Sequence, residues 1–375
     1  MGGITVRDYS EAERRWLWLS LVFEHDVRRL YALLNSFDTI EELYNDCAKG
    51  HFKNTGIITQ TQYHKLMRYC APRFLDACIA RLNQKNIDTV TRAAADYPPL
   101  LEYIYDPPAA LYVKGRLRPD AGLPVAMVGS RRCTDYGARA ARSLSNDLSC
   151  AGCCIISGLA YGIDAIAAEG ALSCRESEYP AIAVLGSGVD VVYPAANISI
   201  YYELIERGAV VSEYLPGSKP LKMHFPQRNR IISGLSRGVV VVEAGEKSGT
   251  FITVDYALDQ GRDVFAVPGR ITDQGSAGTN RLIRDGMAKP VFGADDILIE
   301  YGLAEKPANG AKQGQDILSL PEELSVIYQL LLSGEKSFDE LCELSSYEPA
   351  ALNSALTSLE FSGIIKQLPG RIYCI

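Results

Sequence analysis

The 375-residue sequence contains no uncharged apolar run approaching the roughly 18 residues that a membrane-spanning helix needs. Met1 to Arg15 mixes acids and bases without an apolar signal core, so neither an anchor nor a secretory leader is expected, and the chain reads as cytoplasmic. No GxxxxGK followed by Ser or Thr occurs, which argues against a P-loop ATPase. Histidine is scarce: only His25, His51, His64 and His224 are present, and none lies near the tightest cysteine group, Cys150, Cys153 and Cys154. With a single CxxC pair, no metal site is predicted. The ten cysteines are scattered over a long chain, and reduced, buried thiols are expected rather than a disulfide framework.

An excess of positive charge is also missing. The net charge of -7 disfavours a protein that coats duplex DNA by massed Lys and Arg. Counts of basic against acidic residues are 13 and 12 for positions 1–96, 20 and 23 for 97–300, and 5 and 10 for 301–375. An anion must therefore bind at a local cluster in the first or middle segment, because the C-terminal segment sums to -5.

What is abundant is a series of short Val, Ile, Ala and Leu runs: Pro124 to Val128, Cys153 to Ser157, Ala181 to Leu185, Ala209 to Ser212, Val239 to Glu243 and Val264 to Val267. Helix-length polar stretches separate them, and each run is apolar on both faces, as buried parallel strands are. The pattern predicts an α/β fold with a doubly wound parallel sheet over residues 91–303, whose ligands bind beyond the carboxyl ends of the strands. Residues 1–90 show helical apolar spacing and a capping box with Thr39 as N-cap and Glu42 as reciprocal acceptor. Residues 304–315 have linker composition, and 316–375 read as three helices (321–332, 338–344, 349–362) and a strand pair around Pro369-Gly370, the order of a winged helix.

The loops after the strands carry the chemistry. Gly129-Ser130-Arg131 precedes a helix expected near Tyr136, and glycine, hydroxyl, guanidinium and helix N-terminus together make an anion site. Ser157-Gly158 opens a second glycine-rich loop at the same edge. Gly186-Ser187-Gly188 lacks the third glycine of a dinucleotide fingerprint, because position 191 is valine. Arg228, Asn229 and Arg230 follow Phe225, a combination of phosphate clamps with a stacking ring that suits a single-stranded nucleic acid. Gly249-Thr250 turns into a further helix, and Asn280 stands in a last Gly-Thr-Asn turn. Asp164 and Glu243 are the candidate acids, although aspartate beside a glycine turn commonly caps a helix. No Ser/His/Asp or Cys/His arrangement accompanies them, and no cofactor is predicted.

In these motifs the chain resembles the DNA processing protein A family (DprA, also called Smf) over about residues 97–300: Gly129-Ser130-Arg131, SGLAYGID, AVLGSGVD, FPQRNRIISGLS, VVVVEAGEKSGT, GRDVFAVPG and GTNRLI. The resemblance implies an extended Rossmann-like domain, an N-terminal sterile-alpha-motif-like helical domain and a C-terminal winged helix. It further implies binding of single-stranded DNA, transfer of that strand to the recombinase RecA in natural transformation, and a homodimer. Arg131, Arg228 and Arg230 are expected to clamp phosphates. Ala168 stands where the family usually has histidine, and the N-terminal domain lacks the glycine hairpin of related modules, so that domain is not expected to grip DNA. A rival reading is an enzyme of the lysine-decarboxylase-like group that cleaves nucleoside monophosphates. That group has a glutamate just after its Gly-Thr; here Phe251-Ile252-Thr253 follow, with no carboxylate before Asp255. The helix at 349–362 carries neither Lys nor Arg, so the winged helix is expected not to read DNA.

Overall fold

The computed structural model describes residues 7–304, 322–332, 334–345, 347–361, 365–368 and 370–374. It divides into two compact units, Met1–Leu303 and Ala304–Ile375.

The first unit opens with five helices: α1 (Glu11–Phe23), α2 (Val27–Leu34), α3 (Ile40–Ala48), α4 (Gln60–Tyr69) and α5 (Pro72–Gln84). Ser10 and Glu13 form a reciprocal capping box that starts α1. Leu17, Trp18, Leu30, Leu43 and Leu66 fill the core between the helices, and the Trp18 indole donates to the Leu66 carbonyl at 3.1 Å. Thr39 caps α3 as the sequence predicts, accepting from Glu42 N at 3.1 Å. The reciprocal half differs: the Glu42 carboxylate accepts from Asp38 N, one residue earlier than expected.

The sheet follows, with β1 (Asp88–Thr91), α6 (Pro99–Glu102), β2 (Ala110–Gly115), β3 (Leu123–Val128), α7 (Asp135–Cys150), β4 (Cys153–Ser157), α8 (Ile163–Ser173), β5 (Ala181–Val184), α9 (Ile198–Arg207) and β6 (Ala209–Ser212). It continues through α10 (His224–Gly234), β7 (Gly238–Val241), α11 (Phe251–Asp259), β8 (Asp263–Ala266), α12 (Ala277–Arg284), β9 (Lys289–Pro290) and α13 (Ala294–Glu300). The strand order is β1-β2-β6-β5-β4-β3-β7-β8-β9. All six apolar runs are strands of this sheet, parallel from β6 to β9, while β1 and β2 add an antiparallel edge that the apolar pattern does not signal. Val125 of β3 pairs with Ile155 of β4 on one side and Gly238 of β7 on the other. Strand order reverses between β3 and β7, and the crevice beyond their carboxyl ends is where such sheets hold ligands.

Two expectations about the chain are corrected. Cys150, ending α7, and Cys174, just past α8, form a disulfide with Cα atoms 5.6 Å apart, so not all ten thiols are reduced. The parallel packing of α7 on α8, as successive crossovers of a parallel sheet, brings together the carboxyl ends of both helices and so two residues 24 apart in sequence, a proximity that spacing alone conceals. The FPQRNR stretch, taken as a loop, forms the first half of α10.

The second unit comprises α14 (Glu322–Leu332), β10 (Lys336–Ser337), α15 (Phe338–Ser345), α16 (Pro349–Phe361), β11 (Lys366–Leu368) and β12 (Ile372–Cys374), with a small sheet in the order β10-β12-β11. Ile327, Leu341, Leu352, Leu359 and Tyr373 form its core. The linker expected at 304–315 lies outside the described residues except for Ala304, as do Pro321, Ser362 and Pro369. Among the described residues, no helix is long and apolar enough to cross a membrane.

Candidate nucleic-acid interface

At the switch point, the loops after β3 and β4, the start of α11 and the exposed side of α10 enclose a cleft of about 550 Å³. Six of the residues singled out from sequence line it: Gly129, Arg131, Arg228, Asn229, Gly249 and Thr250. Arg131 is exposed, with its guanidinium carbon 5.7 Å from the centroid of the Phe225 ring, and Tyr193 lies 5.6 Å from the same ring. A cation poised over an aromatic face beside a second ring offers both a phosphate contact and a surface for a base. Lys222, which sequence reasoning missed, adds a second exposed cation to the cleft wall. It stands two residues before α10, and a search for cations flanking the Arg-Asn-Arg motif would have found it. The amino ends of α8 and α11 face the same space and add positive potential.

Buried groups hold this rim in place. Glu243, at the end of β7, accepts from Thr134 N at 3.0 Å and from its hydroxyl at 2.6 Å, fixing the start of α7. Its backbone carbonyl accepts from Ser130 N at 2.8 Å. Asp164 is buried and accepts from Gly158 N at 3.0 Å; burial raises its pKa above the usual carboxylate range, with Arg228 pulling it back. Both acids are therefore engaged in shaping the loops.

Arg228 departs most from the sequence reading. It is 3% exposed and sits inside α10, where its guanidinium donates to the carbonyls of Gly158 (2.7 Å) and Val184. Burial lowers its pKa to about 10, with Asp164 opposing the drop. It borders the cleft as part of the wall, and Asn229 accepts from its Nε at 3.2 Å. Gly158 leaves room for this guanidinium: a Cβ there would lie 2.4 Å from Arg228 Nη2. Gly158→Ala should therefore displace Arg228 and destabilise the unit by about 1–3 kcal/mol, read from urea denaturation.

The remaining residues are not brought into the cleft. Ser157 is buried and donates to the Asp164 carbonyl at 2.9 Å, which holds the turn. Ser130 accepts from Arg132 N at 3.2 Å and borders a neighbouring recess with Gly245 and Lys247. Gly186 lies behind Phe225, whose ring would be 2.9 Å from a Cβ. Asn280 pins the chain at Gly269 through both its amide atoms, at 3.0 and 3.1 Å. Arg230 is 3% exposed, pairs with Glu213 and with Asp106 at 3.3 Å, and lines a different recess.

Residues 88–302 match the family model described as DNA recombination-mediator protein A, and 311–371 match the DprA winged helix domain. The chain is 37% identical to protein Smf of Escherichia coli over 305 residues, 79% of either chain, and 46% identical to DNA processing protein DprA of Streptococcus pneumoniae over 209 residues, 55% of this chain and 71% of that one. The solved structure of the Streptococcus pneumoniae protein superposes with a TM-score of 0.63 at 36% identity, covering 78% of this chain and 99% of that one. DNA processing protein A from Helicobacter pylori, whose structure is described for its single-stranded DNA binding mode, gives 0.52 at 30% identity, covering 57% and 95%. The matched segment holds the entire sheet and the cleft at its switch point, and the chain belongs to the DNA recombination-mediator protein A (DprA/Smf) family.

Proposed function

We propose that the chain is a non-catalytic, cytoplasmic single-stranded DNA-binding protein that protects incoming strands in natural transformation, acts as a homodimer and passes the strand to RecA. The observation that carries the binding reading is Arg131 held over Phe225 at the mouth of the switch-point cleft, with Lys222 beside it. A narrow cleft at strand ends admits a flexible strand, and a net charge of -7 gives no surface for coating a duplex. Phosphate clamping and stacking imply low sequence specificity. The dimer reading has support on α11, where Val254 and Ala257 face the core while Ile252 and Leu258 stay 38% and 42% exposed. In this reading, residues 1–90 are a helical domain, 91–303 the binding domain, 304–315 a linker, and 316–375 a docking unit that does not read DNA, since α16 carries no cation.

Nucleoside-monophosphate cleavage has no comparable support. Among the described residues, Asp164 is the one carboxylate in the cleft lining, and it is held by Gly158 N.

The test is fluorescence anisotropy with labelled single-stranded and duplex oligonucleotides at matched salt. Single strands are expected to bind preferentially. Arg131→Ala should weaken binding without changing the melting temperature and should reduce the salt slope by about one phosphate. Equal affinity for both forms, or an unaffected Arg131→Ala variant, would remove the reading.

A further inference from the structure

A second recess, of about 530 Å³, lies between the helical N-terminal region and the α10–α11 pair. It is lined by His25 and Arg28 near the start of α2, by Asp106, by Gln227 and Arg230 of α10, and by Tyr256 of α11. The same two helices line the switch-point cleft. On α11, Tyr256 follows Thr253 by about one helical turn, whereas on α10 Gln227 and Arg230 face away from the residues that line the cleft, so a strand leaving the cleft reaches the recess by crossing the amino end of α10 from Pro226 to Gln227.

The charges in the recess are not all spent internally. Asp26 pairs with Arg29 at 2.6 Å, and Asp106 and Glu213 pair with Arg230. Arg28 is exposed and, among the described residues, has no ion pair or hydrogen bond, although its field reaches Asp106. Behind it, Arg230 Nη1 and His25 Nδ1 are buried without a partner. A free cation, unpartnered buried nitrogens and an aromatic side chain at the end of a path from the cleft are the parts that a strand's backbone and base require.

We propose that this recess is a second nucleic-acid subsite, which takes the phosphodiester segment adjoining the nucleotides held in the cleft, with Arg28 on its phosphate and Tyr256 beside its base. The inference rests on the cleft being the primary site. It gives the N-terminal region a direct role in binding, contrary to the expectation from its missing glycine hairpin.

The experiment compares oligothymidylates of about 4 and about 20 nucleotides, spanning the usual range of site sizes, in anisotropy titrations of the full chain and its Arg28→Ala, Arg28→Glu and Arg131→Ala variants. Arg28→Glu is expected to weaken the longer strand tenfold or more, and Arg28→Ala to lower its salt slope by about 1, with the shorter strand unaffected. Arg28 is exposed and unpaired, so melting temperatures should be unchanged. Wild-type affinity for the longer strand in both Arg28 variants, or an equal loss for both lengths, while Arg131→Ala weakens binding, overturns the recess alone. An unaffected Arg131→Ala variant overturns the cleft reading, and the recess with it.

Discussion

Arg228→Ala is expected to cost about 3–5 kcal/mol of unfolding free energy, the range for removing one partner of a buried charge pair, and so to lose DNA binding through instability. The guanidinium spans from the loop after β4 to the end of β5, donating to the carbonyls of Gly158 and Val184, and it faces the buried Asp164. Alanine would orphan two buried carbonyls, leave Asp164 without its cation and open a cavity beneath the cleft. Arg228→Lys keeps the charge but lacks the planar fork that reaches both carbonyls, so it should recover only part of the loss. Urea denaturation of both variants against wild type measures this. A midpoint for Arg228→Ala within about 0.5 kcal/mol of wild type, the ordinary spread for surface changes, would show that the side chain is dispensable for folding.

The contrast with Arg131 marks where the sequence was legible. Runs such as Cys153 to Ser157 and Ala209 to Ser212 became strands residue for residue, because strands buried on both faces must be apolar throughout. β1, with the sequence Asp-Thr-Val-Thr, buries its two threonines as fully as Val90, so a short strand that is half polar in sequence does not stand out as an apolar run, and the β2 beside it pairs antiparallel, outside the parallel repeat. The glycine loops at strand ends were found because parallel topology fixes which edge carries function. The Arg-Asn-Arg motif was read as one clamp, yet on a helix residues two apart point about 200° away from each other. Arg228 therefore underlies the cleft while Arg230 turns toward Glu213, on a face that no local pattern distinguishes. Asn280, expected in a turn, lies within α12, and Ser157 ends β4; the partners of these polar side chains, Gly269 and the Asp164 carbonyl, are set by the fold.

A second large effect is expected at Glu213, the residue following β6. Its carboxylate is buried against Arg230, its Oε1 has no hydrogen-bond partner, and Asp106 approaches the same arginine at 3.3 Å from the other side. Two carboxylates share one cation, Glu213 fully buried and Asp106 partly open to the recess. Burial, with Asp106 adding to it and Arg230 opposing, raises the Glu213 pKa from 4.5 to about 7. The folded protein thus holds this proton more tightly than the unfolded chain does. Its contribution to stability is full below about pH 4.5 and is lost as pH rises through 7. At 1.36 kcal/mol per pH unit, the gap between 4.5 and about 7 corresponds to about 3 kcal/mol, of which about 2 kcal/mol falls between pH 5.5 and 8. Urea midpoints of the wild type should fall across that interval, whereas Glu213→Gln, which cannot ionise and still offers Arg230 an acceptor, should show a pH dependence shallower by that amount. Asp106 titrates in both proteins, so the difference between them isolates Glu213. Identical pH profiles for the two proteins would mean that Glu213 stays ionised throughout, held by Arg230 more strongly than burial opposes it.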